Sequence, residues 1–212
     1  PRGIALDEDG AIYVADTDRS RIAVFSAQGE FLRSIGDPAT APIGGGLRQP
    51  WGLDVGPDGL LYVADTWNSR VAVFTREGDF VRAWGHEGVP ASDPSPEAMW
   101  GPRDLKIGPD GLVYVADTGG KRIRVYTPEG EWVRDIGSGG TGLGQVDEPV
   151  GLAFNPVSRE LRIGIRDGGK LVAGATGSMT PFGILYVDTV YVDKGYRHHR
   201  LGTLLMQEVE KE

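Results

Sequence analysis

The chain contains no cysteine. That excludes a disulfide framework, a zinc ribbon and a thiol nucleophile, and leaves the redox compartment open. No apolar run reaches the length of a membrane span, and Pro1-Arg2-Gly3 has no signal-peptide pattern, so the expectation is a soluble chain with no leader and no membrane partner. Positive charge is also scarce. Against 22 Lys and Arg stand 30 Asp and Glu, a formal net charge of -8, which argues against nucleic acid as the main partner.

Glycine and proline, by contrast, are abundant, at 33 and 14 of 212 residues. Such a composition excludes a helix bundle and favours many short strands joined by tight turns. The dominant feature is self-similarity. Residues 1–36, 50–85 and 102–137 align without a gap, and the first two share 18 of 36 positions. Each unit runs Pro-x-(Gly/Asp)-apolar, then Asp-Gly, then (Ile/Leu/Val)-Tyr-Val-Ala-Asp-Thr, with an Arg opening the next apolar run. In the first unit, Gly3–Leu6, Ile12–Ala15, Ile22–Phe25 and Phe31–Ile35 read as strands broken at Asp9-Gly10, Asp18–Ser20 and Gln28-Gly29. Four antiparallel strands in a unit of about 50 residues predict a β-propeller blade.

At these residues the chain resembles the NHL repeat family. The resemblance rests on Gly3-Ile4-Ala5-Leu6-Asp7, Ile12-Tyr13-Val14-Ala15-Asp16-Thr17 and Arg21-Ile22-Ala23-Val24-Phe25 and their counterparts in the next two units, and it covers about residues 1–155. It implies a mainly β fold in which the first strand of each blade lines a central channel. It also implies a binding platform more often than a lyase. Three such units cannot close the usual six-bladed ring.

A fourth unit begins at Glu148-Pro149-Val150-Gly151-Leu152-Ala153-Phe154-Asn155-Pro156 and then departs from the pattern. Residues 1–160 hold all five Trp, and residues 161–212 hold none. In the tail, 161–165 and 171–176 read as strands around a turn at 166–170, and 182–192 as one long strand or two short ones. Leu201, Leu204, Leu205 and Val209 fall on one helical face. Leu161-Arg162-Ile163, Gly168-Gly169-Lys170-Leu171-Val172-Ala173-Gly174, Leu185-Tyr186-Val187-Asp188, Val190-Tyr191-Val192-Asp193 and Tyr196–Gly202 resemble the central part of the GNAT N-acetyltransferases. That family holds the pyrophosphate of acetyl-CoA on backbone N–H groups of an (Arg/Gln)-x-x-Gly-x-(Gly/Ala) turn. The resemblance makes Arg197, His198, His199, Arg200 and Gly202 the candidate cofactor residues, with Arg200 standing where the middle Gly is expected. It covers only about 50 residues and omits the acceptor-binding elements and the strand that splays to form the cofactor slot. Catalysis is therefore not expected, and Asp188, where the family often places a base, is read as structural.

Asp16, Asp65 and Asp117 recur at strand ends, and the expectation is that each bonds its own turn backbone rather than a metal. Arg21, Arg70 and Arg122 are expected to bond within or between blades. Arg2, Trp51 and Arg103 share one position beside the first strand and are the ligand-facing candidates. His86 is expected to be solvated in a Gly/Pro-rich connection, and the connections 37–49, 86–100 and 138–147 are expected to be mobile surface loops.

The resulting expectation is a chimeric, natural or engineered, non-catalytic scaffold or binding module. Residues 1–156 hold three blades and the first strand of a fourth. Residues 157–212 hold a β-β-β-α fragment able to supply that blade's remaining strands. No catalytic residue, metal or cofactor is expected, with CoA or acetyl-CoA binding as the alternative. Open propeller edges predict a homodimer, a peptide or protein partner is compatible with the loops, and a small four-bladed ring is the other way to close.

Overall fold

The computed structural model describes residues 1–41, 43–140, 144–155, 161–167, 170–179 and 185–192. The first sheet comprises β1 (Ile4–Leu6), β2 (Ile12–Asp16), β3 (Arg21–Phe25) and β4 (Phe31–Ile35). The second comprises β5 (Leu53–Val55), β6 (Leu61–Asp65), β7 (Arg70–Phe74) and β8 (Phe80–Trp84). A two-stranded pair follows, β9 (His86–Glu87) with β10 (Ala98–Met99), in parallel. The third sheet is β11 (Pro102–Ile107), β12 (Val113–Asp117), β13 (Arg122–Tyr126) and β14 (Trp132–Ile136). The fourth is β15 (Pro149–Phe154), β16 (Leu161–Asp167), β17 (Lys170–Met179) and β18 (Leu185–Val192). Every four-stranded sheet is an antiparallel meander in chain order, as a propeller blade requires.

Alternation along the strands sends apolar residues to both faces of the second and third blades, whose second strands are buried throughout because a neighbour covers each side. One core packs Tyr13, Ile22 and Val24 of the first blade against Leu53, Val63 and Phe74 of the second. A second joins Tyr62, Val71 and Val73 to Leu105, Val115 and Tyr126. A third joins Tyr114, Ile123 and Val125 to Leu152, with Phe154 alongside, so β15 covers the third blade. The Tyr114 and Phe154 rings meet edge-on at 5.0 Å.

Three sets of polar bonds recur from blade to blade. The Thr17, Thr66 and Thr118 hydroxyls donate to the carbonyls of Pro50, Pro102 and Pro149, at 2.8, 2.8 and 2.6 Å. Arg33 and Arg82 on the fourth strands donate to the carbonyls of Arg76 and Pro128 in the following blade, through Nε at 3.0 Å in each case. Within blades, Arg21, Arg70 and Arg122 meet Asp16, Asp65 and Asp117 at 3.0, 2.7 and 3.0 Å, as expected for a residue repeated with the architecture. The pairing of third and fourth strands slips by one residue at Leu32, Val81 and Val133, and in the fourth sheet at Asp188.

Several expectations need correction. Asp16 and Asp65 do not bond the backbone of their own turns: neither caps the 3-10 turn that follows it, although each meets a side chain there, Arg19 and Asn68. Asp65 and Asp117 instead reach back to an earlier connection, accepting from the backbone N–H of Arg48 and of Trp100 at 2.7 Å each. Each carboxylate thus clamps a connection to the Arg of the next strand. The connections are accordingly tied down. Leu47, Ala98 and Met99 are buried, and the buried Arg124 side chain donates to the carbonyls of Ser95 and Pro96. His86 is exposed, as expected, and its Nε2 also lies 2.8 Å from Asp93 Oδ2. The long strand Leu185–Val192 is continuous. The helix expected around Leu201–Val209, the turn at 168–169 and the Arg197–Gly202 segment lie outside the described residues.

Candidate functional site

The first strands β1, β5, β11 and β15 lie side by side at one margin of their sheets, with inter-blade bonds running between them. Asp54 Oδ2 accepts from Ile107 N at 2.9 Å, and Asp104 Oδ2 accepts from Leu152 N at 2.8 Å. The strands approach so closely that a Cβ on Gly3 would strike the Trp51 carbonyl, and one on Gly52 would strike Asp104. Only glycine fits at these two places.

The chain enters each first strand through a bulge. Arg2 N donates to the Ala15 carbonyl while Ala15 N donates to the Gly3 carbonyl, so two residues face one. Trp51 and Gly52 face Ala64 in the same way. In the third and fourth sheets the register shifts at the equivalent places, between Pro102 and Asp104 and between Pro149 and Gly151. A bulge bends the strand and re-aims the side chain of its extra residue. The residues so aimed are Arg2, Trp51, Arg103 and Val150, and all four line one cavity of about 450 Å³. The sequence candidates Arg2, Trp51 and Arg103 are therefore brought together, and Val150 is the member that sequence reasoning did not name.

The geometry of the trio is specific. The Arg2 guanidinium carbon lies 4.4 Å from the Trp51 ring centroid, and that of Arg103 lies 4.6 Å from it. Blade order places Trp51 between the two cations, an arrangement favoured by the ring quadrupole. Among the described residues neither guanidinium makes an ion pair. Lys106 and Asp104 complete the polar lining. Lys106 Nζ donates to the Leu53 carbonyl at 3.1 Å and lies 3.7 Å from Asp54. Burial pushes the Asp104 carboxyl up to about 6, against the pull of Lys106 and of the Leu152 and Leu105 N–H groups. Among the described residues no group of three His, Cys, Asp or Glu could hold a metal ion. No helix there is long and apolar enough to cross a membrane.

Four-stranded meanders stacked face to face, with first strands converging on a shared cavity, define a β-propeller assembly. More particularly, the NHL repeat family model matches residues 1–25, 47–74 and 99–126, so the N-terminal part of the chain carries NHL repeats. The acetyltransferase (GNAT) family model matches residues 144–212, a stretch that contains all four strands of the fourth sheet. No curated protein sequence matches the chain. Among solved structures, the nidogen/laminin complex is similar with a TM-score of 0.66 at 17% identity, over 92% of this chain and 64% of that one. Hydrazine synthase of Kuenenia stuttgartiensis is similar at 0.63 and 18%, over 91% and 49%. Virginiamycin B lyase of Staphylococcus aureus is similar at 0.60 and 16%, over 88% and 54%. At these identities the likeness concerns the fold. A coverage of 92% exceeds what residues 1–160 can supply, so the propeller likeness runs on into the acetyltransferase-matching strands. The chain spans about half the length of the first solved structures it matches.

Proposed function

We propose that the chain is a non-catalytic binding module that presents Arg2, Trp51, Arg103 and Val150 to a ligand. Its fourth blade is a hybrid: a repeat-like first strand, 149–154, is continued by acetyltransferase-like strands that serve as scaffold. Recombination of sub-domain pieces, in nature or by engineering, accounts for a join inside a blade. The observation that carries the reading is the convergence of four equivalent bulge positions on one cavity. Two copies meeting head to tail are the proposed assembly. In support, Ile4 is 59% exposed, whereas its counterparts Leu53 and Leu105 are at 1% and 0%, covered by a preceding blade. Light scattering on a sizing column, with and without excess CoA, tests this. A dimer indifferent to CoA is expected, and a monodisperse monomer contradicts the assembly.

A second reading is a residual CoA-binding site at Arg197, His198, His199, Arg200 and Gly202, favoured by the acetyltransferase match running through these residues. It requires CoA to raise the melting temperature, and Gly202→Pro to abolish that rise.

A further inference from the structure

We propose that the cavity at Arg2, Trp51 and Arg103 takes a small ligand carrying two oxyanion groups, with one guanidinium serving each group. This rests on the binding-module reading above and names the chemistry of that same site. The chain as a whole is acidic, at -8, yet three of its cations, Arg2, Arg103 and Lys106, line this one cavity. Lys106 is engaged with the Leu53 carbonyl and Asp54. The two arginines are not engaged in this way. Each lies against the Trp51 indole, and among the described residues neither guanidinium makes a hydrogen bond or ion pair.

Stacking on the indole fixes the plane of a guanidinium and leaves its N–H edge uncommitted. A planar fork of that kind matches the paired oxygens of a phosphate, sulfonate or carboxylate. A structural role for an arginine in this fold looks different: Arg33, Arg82, Arg122 and Arg124 each spend their N–H groups on carbonyls or carboxylates. Two guanidiniums against one indole offer two such forks, one for each group of a ligand that carries two. A volume of about 450 Å³ suits a small molecule. Val150 adds the apolar wall on the fourth side, and Asp104 disfavours an anion pressed against β11.

The test is titration calorimetry on the full chain with three probes: pyrophosphate, succinate and the neutral disaccharide maltose. Pyrophosphate or succinate is expected to bind, and which of the two binds more tightly separates a phosphate source from a carboxylate source. Arg2→Gln and Arg103→Gln should each weaken that binding by about tenfold or more. Arg19→Gln, on a side chain 72% exposed elsewhere, should leave it unchanged. A thermal melt of each variant confirms folding. Trp51→Phe should keep weaker anion binding and remove the ligand-induced fluorescence change, which assigns the signal among the five tryptophans. Anion binding indifferent to both arginine variants overturns the proposal. Maltose binding that is lost in Trp51→Phe, with both anions silent, overturns the oxyanion assignment and keeps the binding-module reading. Silence of all three probes counts against both.

Discussion

The second and third blades and the fourth sheet are built to one plan at the first strand and to different plans beyond it. Between the second and third blades, Thr66 holds the Pro102 carbonyl and Asp54 holds Ile107 N. Between the third blade and the fourth sheet, Thr118 holds the Pro149 carbonyl and Asp104 holds Leu152 N. The threonine bonds are equivalent, since Pro149 stands where Pro102 does. The carboxylate bonds are of one kind but offset by two residues, Asp104 aligning with Gly52 and Leu152 with Leu105. Both bonds of the second joint end on β15. Past β15 the plan changes. Pro102 is paired with Asp117, and its counterpart Pro149 is paired with Ile165. Asp117 is paired with Arg122, and Ile165 with Ala173. The Asp–Arg clamp of the repeats therefore has no equivalent at this register in the fourth sheet. The difference teaches that a blade docks through its first strand, while its inner clamp serves its own connection.

Four measurements break or sharpen this comparison. Asp117→Ala should cost the most, about 3–5 kcal/mol in urea unfolding, because it strands the buried Arg122 and Arg124. Asp16→Ala, at a more exposed pair, should cost only about 1 kcal/mol. Next comes Leu152→Ala. If β15 docks as a repeat strand does, it should cost about 2–4 kcal/mol, close to the value for Leu53→Ala, since both side chains are buried. A negligible cost would show that the fourth sheet is not held to the third blade. Thr66→Val and Thr118→Val should each cost about 1–2 kcal/mol by leaving a proline carbonyl without its donor.

An effect of similar size to that of the threonine variants is a pH dependence. With Asp104 raised from 3.8 to about 6, the folded state holds that proton more tightly than the unfolded chain does. The corresponding stability is full below about 3.8 and is lost as pH rises through 6, a change of about 1–2 kcal/mol after allowing for water in the cavity. Asp104→Asn should remove that portion of the slope between pH 4 and 7 in chemical unfolding curves.

The blade pattern was legible because each unit repeats the same local signals, and Asp-Gly turns and alternating runs report directly on backbone geometry. The convergence of residues 2, 51 and 103 was half legible: their equivalence is a matter of alignment, whereas the stacking on Trp51 depends on how blades abut. The clamp role of Asp65 and Asp117 was not legible, since the N–H groups of Arg48 and Trp100 lie in connections that share no pattern. Two signals for the buried connection were present all the same. Arg124 occupies a position where the other units have Ala23 and Ala72, and Ala98-Met99 interrupts a polar stretch. Both report that the 86–100 segment covers the third blade.

The one-residue slips on the outermost strands have a consequence for how the molecule behaves in a crowd. A straight outer strand with apolar side chains would offer its free N–H and C=O groups to any passing extended chain. Leu32, Val81 and Val133 are exposed, at 48%, 41% and 38%, on strands whose ladders are interrupted at those residues. The kink breaks the regular spacing on which fibre-like stacking depends, so greasy rims can face solvent without templating one another. The strand at 185–192, from a different family match, carries the same interruption at Asp188, and it meets the requirement that an outer strand of this assembly imposes.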